Sequence, residues 1–197
     1  MRDICYNYYS MSLNTFVLHI TIVMIKKESD MSYEPIYRTV CFTGHRGLSE
    51  LEKRDALDKL DRVVRFLVTE RGSITFRTGG ALGFDTMAAY TVLGYRLLYP
   101  QIKLELYLPC PNQTRNWGKD DIDSYNYIKE RADVVKVVSP VYFSGCMHVR
   151  NRTLVNGSDV CVAYCRGGSG GTSYTIDYAQ KQYVEVINLY KTPSKYF

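Results

Sequence analysis

The chain has 197 residues, 46% hydrophobic and 23% charged, a balance that excludes a disordered or fibrous protein and suits a domain with one sizeable core. Its net charge of +5 welcomes an anionic ligand but is too small to argue by itself for nucleic acid. The six cysteines, at positions 5, 41, 110, 146, 161 and 165, form no CxxC pair and no zinc-type spacing, so no metal site is expected and a reducing, cytoplasmic setting is.

Leu13 to Ile25 is largely apolar, but Asn14, Thr15, His19 and Thr21 interrupt it. It falls short of the roughly 20 apolar residues of a membrane span, and no small-residue cleavage site follows it. Residues 1–32 are read as an extension, disordered or produced by a misassigned start, with Met31 the natural beginning. Residues 33–197 are read as a single domain with no membrane role.

From Tyr37 the chain alternates between strand-like and helix-like stretches. Tyr37–Thr43 is a predicted strand. Ser49-Glu50-Leu51-Glu52 is a capping-box pattern opening a helix whose apolar face is Leu57, Leu60, Val63, Val64, Leu67 and Val68. Gly72 stops it. A strand over Ser73–Arg77, a helix over Asp85–Leu98 ended by Pro100, and a strand over Ile102–Leu108 follow. The polar loop Asn112–Gly118 leads to a short helix near Ile122–Arg131 and a strand over Val134–Val138. A helix over Cys146–Val155, a strand over Asp159–Tyr164, a helix over Thr172–Gln182 (Ile176, Ala179 and Tyr183 on one face) and a strand over Val184–Leu189 complete the chain. Strands separated by helices predict βαβ units and an α/β fold with a mostly parallel sheet of about six strands.

The chemistry-bearing motifs all fall just after strands, the edge where such sheets bind ligands. In Thr78-Gly79-Gly80-Ala81-Leu82-Gly83-Phe84-Asp85, Gly79 and Gly80 would allow close backbone approach to an anion, and Gly83 tight helix–strand packing. Asp85 would cap the helix or accept a hydrogen bond from a ribose hydroxyl. Gly167-Gly168-Ser169-Gly170-Gly171-Thr172 holds more glycine than a cap requires; its Thr172 hydroxyl and the following N–H groups are candidates to hold a phosphate. After the first strand, Gly44, His45 and Arg46 offer a bidentate anion ligand in Arg46 and a donor or base in His45, or else a solvated surface pair. Arg150 and Asn151 would reach the same crevice from a helix start, while Met147 reads as core. Gln113 and Trp117 lie after the third strand, and Trp117 either stacks on a base or lids the core.

Taken in order, Thr43-Gly44-His45-Arg46, Gly79-Gly80-Ala81-x-Gly83-x-Asp85, Gln113-x-x-x-Trp117, Met147-x-x-Arg150-Asn151-Arg152, Ser158-Asp159 and Gly170-Gly171-Thr172 resemble the YpsA-like branch of the SLOG superfamily, over about Tyr37 to Leu189. The resemblance implies a Rossmann-like, doubly wound fold with helices on both faces and a nucleotide-type ligand, ADP-ribose-like, NAD-like or a nucleoside phosphate, in the glycine-lined crevice. It also points to LOG phosphoribohydrolases, whose glycine-Thr run is followed closely by Glu; here Ser173, Tyr174 and Thr175 follow Thr172, with no carboxylate until Asp177. Relatives often carry Asp where this chain has Asn156.

The leading expectation is a cytoplasmic nucleotide-binding sensor or regulator that requires no cofactor. The alternative is an N-glycosidic-bond hydrolase, with Arg150 positioning phosphate and Asp85 or His45 as acid or base. A third reading is a protein-interaction or single-stranded-DNA-binding module. A homodimer is a candidate assembly. Without a dense basic stripe or interleaved aromatics, a nucleic-acid partner is expected to be unlikely.

Overall fold

The computed structural model describes residues 36–191, so the extension expected over residues 1–32 lies outside the described residues. Among these, six strands form one all-parallel sheet: β1 (Thr39–Gly44), β2 (Thr75–Thr78), β3 (Lys103–Leu108), β4 (Val134–Val137), β5 (Val160–Tyr164) and β6 (Glu185–Asn188). The connections are α1 (Glu50–Thr69), α2 (Phe84–Leu98), α3 (Lys119–Arg131), α4 (Cys146–Val155) and α5 (Gly171–Lys181).

The strand order is β4-β3-β2-β1-β5-β6. The chain builds outward from β1 to β4, then returns to lay β5 along the other edge of β1, Val40 opposite Val160 through Gly44 opposite Tyr164. At that reversal the loops leaving β1 and β5 diverge to opposite faces, and a crevice opens beyond the carboxyl ends of the two strands.

Both faces are covered, as a doubly wound sheet requires. Side chains of period two divide between them. Val40, Phe42, Val160, Val162 and Tyr164 join the larger core, with residues of α1, α2 and α3. Cys41 and Cys161 join the smaller one, with Leu154 and Val155 of α4 and Ala179 of α5. In the larger core the Phe42 and Phe76 rings stack at 6.1 Å between centroids and Phe84 stacks on Tyr164 at 5.7 Å.

α1 begins where the capping box is: Ser49 Oγ accepts from Glu52 N, and Glu52 Oε2 accepts from Ser49 N at 2.8 Å. Its buried face is Ala56, Leu60, Val63, Val64, Leu67 and Val68. Leu57, expected there, is 47% exposed: it shares the face of Val64, but it lines a surface hollow with Tyr95, Leu98 and Tyr99 instead of packing into the core. Tyr183 is likewise not on the inner face of α5: the helix has ended, and Tyr183 turns the chain at φ 58° with its side chain in solvent. Among the described residues no helix is long and apolar enough to cross a membrane.

Candidate functional site

The crevice at the β1–β5 reversal has a volume of about 390 Å³. Its walls come from the end of β1 (Thr43, Gly44, His45, Arg46), the β2–α2 turn (Ala81, Asp85), α4 (Arg150, Asn151) and the start of α5 (Gly171, Thr172). Three glycine-bearing strand ends foreseen in the sequence are thus brought to one cavity.

Arg150 lies at its floor. α4 carries it beneath the β2–α2 turn, where it is 5% exposed, and a Cβ on Gly79 would fall on its guanidinium and 2.8 Å from Asp85 Oδ2. Asp85 Oδ2 is 3.6 Å from Arg150 Nη1 and accepts from Ala81 N at 3.4 Å. Burial pushes the Asp85 carboxyl above the usual carboxylate range, against the pull of the Arg150 charge. The guanidinium stays protonated. Nε and Nη1 of Arg150 are buried with no hydrogen-bond partner. A buried cation with unbonded donors is costly, and an anion in the crevice is the group that would satisfy it.

Asp85 is not the cap of α2. Gly83 is, at φ 76°, with no side-chain bond, while Asp85 turns inward to Arg150. Gly83 serves the loop rather than the strand, since a Cβ there would stand 2.6 Å from His45 O. Gly80 takes φ 58° and its carbonyl accepts from Gln113 Nε2 at 3.0 Å. Gly44 gives way to the ring of Phe84, which any Cβ would strike.

Gly170, at φ 140°, opens α5 with no side-chain cap, leaving the first N–H groups of the helix facing outward beside the cavity. Asn151 lines the cavity with its amide engaged. It is buried, and its Nδ2 donates to Gly171 O at 3.2 Å, locking α4 to the start of α5. Thr172 is buried at the same junction.

Two anchors of this loop escaped the sequence reading. Asn188 of β6 clamps the Cys165 peptide on both sides, Oδ1 accepting from Cys165 N at 3.0 Å and Nδ2 donating to Cys165 O at 2.9 Å. Arg166 N donates to His45 Nε2 at 3.1 Å, and the Arg166 side chain reaches Glu52 Oε1 and Gly47 O. Because Nε2 accepts, the neutral His45 ring carries its proton on Nδ1, and burial with the Arg166 charge lowers its pKa. Nε2 is therefore not free to act as a base. Sequence separation hid both anchors: His45 and Arg166 are 121 residues apart.

Gln113 and Trp117 belong to a neighbouring cavity of about 530 Å³, which shares Arg46 and Met147 with the first. Trp117 meets Tyr125 edge-on at 5.6 Å and packs on the core, and its ring also lines this second cavity. Met147 lines both cavities. The Ser158-Asp159 motif lies at the other end of the sheet, where Asp159 Oδ2 accepts from Thr39 N at the start of β1. Among the described residues no group of three or more His, Cys, Asp or Glu is placed to hold a metal ion.

An all-parallel, doubly wound sheet with a crevice at its strand reversal defines a Rossmann-like α/β protein. The YpsA family model, described as the YspA SLOG family, matches residues 40–191, and the chain belongs to that family. It is 31% identical over 139 residues to the SPbeta prophage-derived protein YoqJ of Bacillus subtilis (strain 168), covering 64% of this chain and 81% of that protein. It is 27% identical over 157 residues to a UPF0398 protein of Bacillus cereus, covering 76% of this chain and 80% of the relative. Its fold is similar to that of DNA processing protein A from Helicobacter pylori, with a TM-score of 0.55 at 17% identity, over 77% of this chain and 64% of the other.

That last similarity corrects one expectation. The Helicobacter pylori protein, which has a single-stranded DNA binding mode, shares this fold, so the expectation that a nucleic-acid partner is unlikely does not stand.

Proposed function

We propose that the crevice binds a nucleotide-type ligand through its phosphate, and that the protein acts as a cytoplasmic sensor or regulator. The observation that carries this reading is Arg150, buried with Nε and Nη1 unbonded beside the uncapped start of α5. A cationic floor and a row of helix N–H groups together make an anion site, and Arg46 at the rim adds a second, exposed cation. His45 would add an Nδ1–H donor.

Binding is favoured over hydrolysis because Asp85, the only carboxylate among the residues lining this cavity, is 4% exposed and held by Arg150 and Ala81 N. The nearest acid after the glycine-Thr run, Asp177, is exposed on α5. A strand of nucleic acid presents the same phosphate chemistry as a free nucleotide and remains a candidate source of it.

The test is calorimetry and thermal denaturation of the full chain with AMP and with inorganic phosphate. Ligand at about 100 times its Kd should stabilise the fold by about 2.7 kcal/mol. Arg150→Met should abolish that shift. No shift with any nucleotide, in a folded protein, would move the assignment to a protein-interaction module.

A further inference from the structure

The second cavity has a construction of its own. Gln113 fixes its inner wall by donating to Gly80 O, and Trp117 is held in place by Tyr125. Toward solvent it presents Tyr142, 64% exposed, and the exposed side chains of Arg115, Asn112 and Asn116. Neither Arg46 nor Arg115 makes a side-chain hydrogen bond or ion pair among the described residues. Ring faces, free amides and an unpaired guanidinium are the groups that stack on and hydrogen-bond a planar base and its phosphate. Arg46 and Met147 line both cavities, so the two adjoin across these side chains.

We infer that the ligand is a nucleotide whose phosphate is linked onward to a second ring-bearing group, with that group in the cavity of Trp117, Tyr142 and Arg115, rather than a terminal phosphate monoester. This rests on the nucleotide reading of the first cavity. The shared chemistry is a phosphate substituted on both sides, and it has two sources: a free dinucleotide, or an internal linkage of a nucleic-acid strand.

The experiment is calorimetric titration of the full chain with three probes: AMP as the monoester, NAD as a free dinucleotide, and a short oligothymidylate as the strand. NAD or the oligothymidylate should bind at least about tenfold more tightly than AMP, the order expected of one added stacked ring. Whichever of the two carries the gain identifies the source. Arg115→Ala and Tyr142→Ala change exposed residues and leave the fold intact; each should remove most of that gain while AMP affinity stays unchanged. Trp117→Ala should do the same if circular dichroism shows it folded. AMP binding as tightly as both larger probes, or a gain that survives Arg115→Ala and Tyr142→Ala, overturns this inference and leaves the first cavity's assignment standing. Failure of all three probes to bind overturns both.

Discussion

A side chain on Gly79 and the guanidinium of Arg150 would occupy the same place. The ideal Cβ of residue 79 falls on Arg150 and 2.8 Å from Asp85 Oδ2, so the absence of a side chain is what lets a cation lie under the β2–α2 turn. Gly79→Ala should expel Arg150 from its pairing with Asp85 and cost about 3 kcal/mol, the order of breaking a buried ion pair. Urea denaturation measures it. Made in an Arg150→Ala background, the same substitution should cost much less, because the clash is gone and the two changes share one contact.

Gly171 separates binding from folding. A Cβ there meets Asn151 Nδ2 at 3.7 Å, an ordinary contact, and its backbone is not left-handed. Gly171→Val should change stability by no more than about 0.5 kcal/mol, as exposed substitutions do. It should also weaken AMP binding by about tenfold or more by standing over the helix N–H groups. Gly80 is the contrasting site, with φ 58° and a Cβ 3.2 Å from Leu108 Cδ2, so Gly80→Val should be seen first as lost stability.

Stability should depend on His45 in the mildly acidic range. Its pKa is lowered in the folded protein, so between the folded pKa and the unfolded value near 6.5 the unfolded chain binds more protons. The contribution is complete above the unfolded pKa and is lost as pH falls through the folded one. Protonation would also turn Nε2 from acceptor to donor against Arg166 N. Denaturation midpoints of the wild type should fall below about pH 6.5 more steeply than those of His45→Gln. Parallel curves would show that the His45–Arg166 bond does not hold the loop.

Arg166 and Ser49 should divide loop placement from fold stability. Ser49→Ala removes the α1 cap and should cost about 1 kcal/mol. Arg166→Ala removes an exposed ion pair worth less than about 1 kcal/mol, yet frees the glycine-rich loop from Glu52 and Gly47. Its AMP affinity should therefore fall more than its thermal midpoint; calorimetry and thermal denaturation of the same preparation compare the two.

Element order, the parallel sheet and the crevice's location were legible in the sequence, because they rest on local signals. Glycines follow α1 and open the α2 and α5 junctions, and the helix expected over Cys146–Val155 has those bounds. What was not legible depends on partners far apart in the chain. Asp85 reads locally as a helix cap and Asn151 as a residue reaching the crevice; only the packing of α4 under the β2–α2 turn and against α5 shows them engaged by Arg150 and Gly171 O. Gly83 reads as a helix–strand spacer, but the backbone it admits is that of His45, nearly forty positions earlier. The division of this sheet edge into two cavities has no sequence signature at all.

The strand order has a consequence for how the protein comes into being. β1 and β5 are paired 120 positions apart, Val40 opposite Val160, and the glycine-rich loop follows β5. A chain released from the ribosome only as far as β4 has every strand on one side of the crevice and neither the partner of β1 nor the start of α5. Closing so long a span is entropically late in folding. A ligand in the crevice would therefore recognise a finished molecule, and its presence during synthesis would act on the last step of assembly, as a seal on the complete fold and not as a template for its parts.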